Sequence, residues 1–154
     1  MIHLEPIGYL HSPFTDAIPS GWEDVPVKIV VHDRWAPALA GLIEFSHLFV
    51  LFWFSRPSEK PLRLMIQPQG RTDLPFVGLF ATRTPNRPNR LGLQAVELLA
   101  VRGNILEVRG LDALDETPVV DIKPYLLRGD CVPSARQAPW VAELASKEGW
   151  DALS

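Results

Sequence analysis

Ala95-Val-Glu-Leu-Leu-Ala-Val-Arg-Gly-Asn-Ile-Leu-Glu-Val-Arg109 carries two apolar runs on either side of Arg102-Gly-Asn104. Leu106-Glu-Val-Arg alternates between apolar and polar residues, as a half-exposed strand should. Gly and Asn are turn formers, so the stretch predicts a β-hairpin. Similar runs recur along the chain: His3 to Leu10, Val27 to His32, His47 to Phe54, Leu62 to Gln67, Val77 to Thr82 and Pro118 to Ile122. With Ala95 to Val101 and Ile105 to Arg109 they make eight strand-like segments, rich in Val, Ile, Leu and Phe and bounded by Pro, Gly, Asn or Asp. Many short strands with little helix between them predict a mainly all-β fold, a closed antiparallel β-barrel with a few short helices. Two helices are expected. One covers Trp35 to Glu44, with Asp33 as candidate cap and Pro37 in its first turn; the other covers Pro139 to Lys147 and would pack Trp140 and Leu144 on the barrel.

The chain has 154 residues, 47% apolar and 21% charged, which suits one soluble domain with a normal core. The expected division is a barrel domain over residues 1–130 and a tail with a short helix over residues 131–154. The run Leu48 to Phe54 is too short to span a bilayer. The N-terminus shows no basic region followed by an apolar stretch, so no signal peptide and no membrane association are expected. A single cysteine, Cys131, excludes an internal disulfide and suits a reducing cytoplasm. His3, His11, His32, His47 and Cys131 lack metal-ligand spacing, so no metal is expected. Gly-x-Gly-x-x-Gly, Walker and Gly-x-Ser-x-Gly patterns are all missing.

Two polar segments stand out. Phe80-Ala-Thr-Arg-Thr-Pro-Asn-Arg-Pro-Asn-Arg-Leu-Gly-Leu93 has three arginines, two prolines and no acid. Pro85 and Pro88 forbid a helix and stiffen the loop. The arginines stay charged and present planar donor forks suited to phosphates, carboxylates or a base edge. A solvated turn paired with nearby acids would account for one Arg-Pro-Asn; the whole segment is more specific. The second is Gly110-Leu-Asp-Ala-Leu-Asp-Glu-Thr-Pro-Val-Val-Asp-Ile-Lys-Pro-Tyr125. Asp121 and Lys123 should face one side of a strand, either as a strand-end ion pair or as part of a site. Charge is uneven as well. Between Arg56 and Arg90 seven basic residues oppose only Glu59 and Asp73, a local +5 in a chain of net −3. Such a face can steer a polyanion.

These segments together resemble the TsaA-like family, whose characterised members (TrmO) are S-adenosylmethionine-dependent tRNA methyltransferases. The resemblance covers most of residues 5–127. Ile7-Gly-Tyr-Leu-His-Ser-Pro-Phe14 is similar to the family's opening strand and turn, and Phe45-Ser-His-Leu-Phe-Val-Leu-Phe-Trp-Phe54 to its central apolar strand. Departures are His11 for a usual Arg, Arg90 for a usual Pro, Gln94 for a usual Ser, and Glu116 where Gly is common. An extra C-terminal domain carried by many bacterial relatives is not seen.

The resemblance implies a homodimer with the cofactor site near the subunit contact. It implies a methyl transfer to N6 of threonylcarbamoyladenosine beside the anticodon of a tRNA for threonine. Cofactor roles would fall on Pro19, Ser20, Gly21, Ser55, Arg56, Phe80, Arg83, Leu91, Leu93, Gly110, Leu111, Asp112, Ala113 and Leu114. Among these, Asp112 suits the ribose, Arg83 the cofactor's carboxylate, and Leu91, Leu93 and Leu111 the adenine. The cofactor is expected between the Arg83–Leu93 and Gly110–Tyr125 loops. Arg87, Asn89 and Arg90 would contact the anticodon region. Asp121 is the candidate base, with Lys123 and Tyr125 beside it, Tyr125 either stacking on the base or lying on the barrel rim. Two alternatives remain open at this point: another RNA or a small molecule as acceptor, and a non-catalytic RNA-binding barrel.

Overall fold

Alternation decides which side chains go inside. Along β2 (Pro26–Val31), Val27, Ile29 and Val31 point inward and are 0–2% exposed, while the residues between them face out. Leu10 of β1 (Gly8–His11), Leu48, Val50 and Phe52 of β3 (His47–Trp53), Val96 and Leu98 of β6 (Leu91–Arg102), Leu106 and Val108 of β7 (Ile105–Arg109) and Val119 of β8 (Pro118–Pro124) complete one apolar core. Each such side chain removed from water contributes about 1.5–3 kcal/mol before chain entropy is counted. The six strands close in the order β1-β2-β7-β6-β3-β8, every neighbour antiparallel. Closure removes the unpaired edges that an open sheet would expose. At one close approach the ring of Phe52 lies over Gly92, where a Cβ would stand 2.4 Å from ring carbons.

The computed structural model describes residues 1–56 and 58–148. It divides into two compact units. Met1–Lys60 with Pro85–Leu126 hold the barrel; among the described residues, Pro61–Thr84 with 127–148 form the second unit. The second unit carries a two-stranded ribbon, β4 (Met65–Ile66) with β5 (Val77–Gly78), the single turn α1 (Leu127–Asp130) and the helix α2 (Pro139–Glu148). The chain leaves the barrel unit between β3 and β6 as well as after β8. No helix of the described residues is long and apolar enough to cross a membrane.

The closed antiparallel barrel is the fold the sequence implies, and β7 has the expected limits. Several expectations need correction. The stretch Trp35 to Glu44 is not an α-helix but two 3₁₀ segments, Asp33–Leu39 and Leu42–Glu44. Pro37 lies inside the first, and Gly41 at φ 81° separates them. Asp33 does not cap; it accepts from Asn104 Nδ2 at 3.1 Å, tying the β6–β7 turn to this segment. Leu62 to Gln67 and Val77 to Thr82 shrink to two paired residues each. β6 begins at Leu91, four residues before Ala95, because Leu91, Gly92, Leu93 and Gln94 pair with β3.

Two register shifts break the alternation. In β6 the pairing jumps from Leu98–Val108 to Ala100–Glu107, and in β8 from Val119–Phe52 to Asp121–Leu51. An extra residue in one strand flips the facing of all that follow and bends the strand. Val119 and Ile122 therefore both pack on the core, and Asp121 and Lys123 both face outward.

Candidate functional site

Antiparallel neighbours all round the barrel mean that β1, β7 and β3 run one way and β2, β6 and β8 the other. One rim thus receives the β1–β2 connection, the exit of β3, the β7–β8 connection and the entry to β6. The connections are bonded to one another there. Arg56, just past β3, donates to the carbonyls of Thr15 and Asp16 and pairs with the Asp16 carboxylate at 3.6 Å. The backbone N–H of Asp115 donates to Phe14 O at 2.7 Å and that of Glu116 to Leu10 O at 2.9 Å. The carboxylate of Asp115 accepts from Ser12 N at 2.8 Å and has His11 Nδ1 at 3.6 Å. Ile18, Trp22, Phe54 and Leu114 pack on the core beneath these connections.

Asp112, on the β7–β8 connection, has a raised pKa. It keeps an exposed edge, but protein crowds its other side, and that desolvation raises its pKa above the ordinary 3.8. The carboxylate of Glu23, brought near by the 3₁₀ turn Trp22–Asp24, raises it further. Gly110, at φ 85°, turns the chain through the left-handed region that a side chain disfavours and so delivers Leu111–Leu114 back across the rim. Leu111 and Ala113 are 1% and 5% exposed, so they anchor the loop in the core and offer a ligand mainly backbone.

The expected cofactor residues Pro19, Ser20, Gly21, Ser55, Arg56, Gly110, Leu111, Asp112, Ala113 and Leu114 thus all belong to connections at this rim, and Arg87, Asn89 and Arg90 lead into β6 at the same rim. Phe80 and Arg83 belong to the second unit. Leu91 and Leu93 stand apart from Leu111: they lie on the outer wall, paired with Trp53 and Leu51, whereas Leu111 is in the core.

The outer wall of β8, β3 and β6 holds the remaining candidates. Asp121 sits opposite Leu51 and Lys123 opposite Phe49. Lys123 Nζ is 2.7 Å from Asp121 Oδ2, and Asp121 Oδ1 accepts from Ile122 N at 2.9 Å. Tyr125 lies at the other rim, where its N–H donates to His47 O at 3.0 Å and its ring meets Phe49 at 5.3 Å between centroids. Val119 and Tyr125 are six residues apart, about 20 Å of strand, so within one chain Tyr125 does not reach the rim connections. Arg90 places its guanidinium over the Trp53 ring, 5.3 Å from the centroid. Glu23 and Trp53 were missed by sequence reasoning. Glu23 carries no sequence signal, and Trp53 lies in the continuous apolar run to Phe54, which marks a strand but not the face its ring takes.

The family model for the tRNA-methyltransferase O N-terminal domain matches residues 9–131. The chain belongs to this family. A protein of Archaeoglobus fulgidus named S-adenosyl-L-methionine-binding protein is 43% identical over 133 residues, which is 84% of this chain and 93% of the relative. A Mus musculus protein named tRNA (adenine(37)-N6)-methyltransferase is 35% identical over 131 residues, 79% of this chain and 30% of that protein. The solved structure of TrmO from Pseudomonas aeruginosa superposes with a TM-score of 0.72 at 33% identity, covering 90% of this chain and 63% of that one. The chain therefore spans less than two thirds of the TrmO chain it resembles in structure.

Proposed function

We propose that this chain is a methyltransferase that uses S-adenosylmethionine to methylate N6 of an adenosine beside the anticodon of a tRNA, and that the acceptor is threonylcarbamoyladenosine in a tRNA for threonine. Membership in the TrmO family and the names of the relatives support the cofactor and the RNA class. The observation that carries the reading is the meeting of the 12–25, 54–56 and 110–117 connections at one rim, with Asp112 and Glu23 among them.

The donor set fits the cofactor. S-adenosylmethionine supplies a methyl group on a sulfonium, transferred by in-line displacement, so positioning provides much of the rate. Asp112 would accept from ribose hydroxyls, and the Asp112–Glu23 pair suits a cation better than an anion. Ile18, Trp22, Phe54 and Leu114 offer apolar surface at the same rim. Arg56 holds the Thr15–Asp16 segment against the exit of β3. Arg83 is the expected partner of the cofactor's carboxylate, and Arg87, Asn89 and Arg90 of the RNA. In the threonylcarbamoyl acceptor the N6–H adjoins a carbonyl and is more acidic than in plain adenine, so a modest base suffices. Asp121 is the candidate for that base; its ion pair with Lys123 must open first. We propose further that the enzyme acts as a cytoplasmic homodimer.

Calorimetry with S-adenosylmethionine tests the cofactor, and methyl transfer to tRNA with and without threonylcarbamoylation tests the acceptor. Saturable binding with transfer only to the modified tRNA is expected. Absence of cofactor binding at millimolar concentration would overturn the enzyme reading. Binding without transfer to either tRNA would move the acceptor to another molecule.

A further inference from the structure

β6 outruns its neighbour. β7 ends at Arg109, paired with Glu97, so residues 91–96 have β3 on one side and no strand on the other. Continued at that register, Asp112 would stand opposite Gln94. Gly110 turns the chain first, and the 110–117 connection bonds to β1 and its turn instead, from Asp115 N to Phe14 O and from Glu116 N to Leu10 O. Among the described residues no backbone hydrogen bond joins this connection to residues 91–96. The barrel wall is thus unsealed between β6 and the connection that carries Asp112.

A polar side chain lines that gap from within. The inward row of β6 reads Gly92, Gln94, Val96 and Leu98. Gln94 pairs with Val50, which is 0% exposed, and so shares its face. Yet Gln94 is only half-buried. Solvent reaches an inward side chain here through the unsealed side, since β3 closes the other. The Gln94 amide has no hydrogen-bond partner among the described residues, and none of their side-chain polar atoms is both buried and unbonded. The amide therefore lies in the gap and not in the core. A polar group kept at an inward position without a protein partner forgoes the stability that an apolar side chain would supply. That choice of residue points to a ligand.

A carboxamide offers a donor and an acceptor side by side. The ribose of S-adenosylmethionine asks for acceptors, and its amino-acid end for charges. The adenine edge sets its 6-amino donor beside a ring-nitrogen acceptor, and a glutamine amide bonds that edge through both of its polar atoms. Position agrees, because Asp112, the residue suited to the ribose, belongs to the connection that borders the gap. We infer that Gln94 is a specificity-determining residue whose amide binds the adenine edge of the cofactor between β6 and the 110–117 connection. The inference rests on the proposed function for its ligand.

The test titrates the full chain by calorimetry with S-adenosylhomocysteine and with an analogue whose purine lacks the 6-amino group. Wild type should prefer the first. Gln94→Met keeps the length of the side chain and removes its polar atoms. It should weaken S-adenosylhomocysteine binding roughly 5- to 150-fold, the range for losing one bidentate amide–base pair, and lose most of the preference between the two compounds. Its melting temperature should not fall, because an apolar side chain suits an inward position. Gln94→Ser, too short to reach the ring, should bind as Gln94→Met does. Wild-type affinity and preference in both variants would overturn the inference while sparing the cofactor reading, since wild type still binds. Unchanged S-adenosylhomocysteine affinity with weakened binding of an anticodon stem-loop RNA would overturn it too, by assigning the amide to the acceptor. A wild-type protein that binds neither compound at millimolar concentration would overturn the cofactor reading and this inference with it.

Discussion

Glu116 shows how one residue can hold a turn at a cost. It adopts φ 59°, a left-handed conformation that is unusual for a residue with a side chain, just before Thr117 starts the return into β8. The sequence departs from the family's usual glycine at this point, so the backbone demands what the side chain resists. Glu116→Gly should therefore raise stability, by up to about 1 kcal/mol, because relief of the left-handed strain (about 1–2 kcal/mol) exceeds the extra chain entropy glycine loses. Chemical denaturation checks this; an unchanged or lower midpoint would mean that the glutamate makes a compensating contact. Asp112 poses the opposite case, a strained charge at a site. Its folded pKa lies above 3.8 through desolvation and Glu23. Ionised Asp112 thus weakens the fold: the protonated form's advantage is complete below about 3.8 and is lost as pH rises through the raised value. Asp112→Asn should stabilise the free protein at neutral pH, by no more than about 1 kcal/mol given its exposed edge, seen as a higher melting temperature. The gain should fade as the solution is acidified toward pH 4. The same substitution should weaken S-adenosylmethionine binding, a trade expected where a site keeps a charge for its ligand.

At the scale of elements, what could be read from sequence was the period of each strand; what could not was the register between strands. The Arg102–Asn104 turn and the alternation of β7 were local signals, and both stand as read. The helix expected over Trp35 to Glu44 failed because apolar spacing cannot show that Pro37 and Gly41 hold the segment to 3₁₀ turns. The bulge in β8 was equally hidden. It decides that Asp121 faces outward beside Leu51 while Ile122 turns to the core, and only pairing with β3 reveals it. The placement of Tyr125 at the far rim follows from that same pairing. The rim constellation was legible through family resemblance, since nothing in the periodicity of residues 12–25 says that they meet residues 110–117. A consequence can be measured. Lys123→Ala should cost less than about 1 kcal/mol of stability, because an ion pair this exposed is worth little. If Asp121 serves as base, removing its partner should change the pH dependence of methyl transfer more than it changes melting.

For the whole molecule the charge distribution poses the hardest question, because an acidic chain is expected to hold a polyanion. The net charge is −3, yet the segment from Arg56 to Arg90 carries +5, so the remainder carries −8. The fold divides that segment: Arg56, Lys60, Arg87 and Arg90 belong to the barrel unit, and Arg63, Arg71 and Arg83 to the second unit. Several of these charges already have protein partners. Arg71 donates to both carboxylate oxygens of Asp73, at 3.0 and 2.5 Å, and Arg56 is engaged by Asp16. The contribution to RNA should therefore come from fewer residues than the +5 suggests. Arg87 is the test residue, since it leads into β6 at the rim where the acceptor would enter. Each phosphate contact with single-stranded RNA releases condensed counterions, which contributes about 0.7 to the log–log salt slope. Arg87→Ala should lower that slope by about this amount and weaken binding at low salt more than at high salt. Arg71→Ala should leave the slope as it is, because its guanidinium is committed to Asp73. A loss of slope in Arg71→Ala but not in Arg87→Ala would place the polyanion on the second unit and remove the rim from RNA recognition.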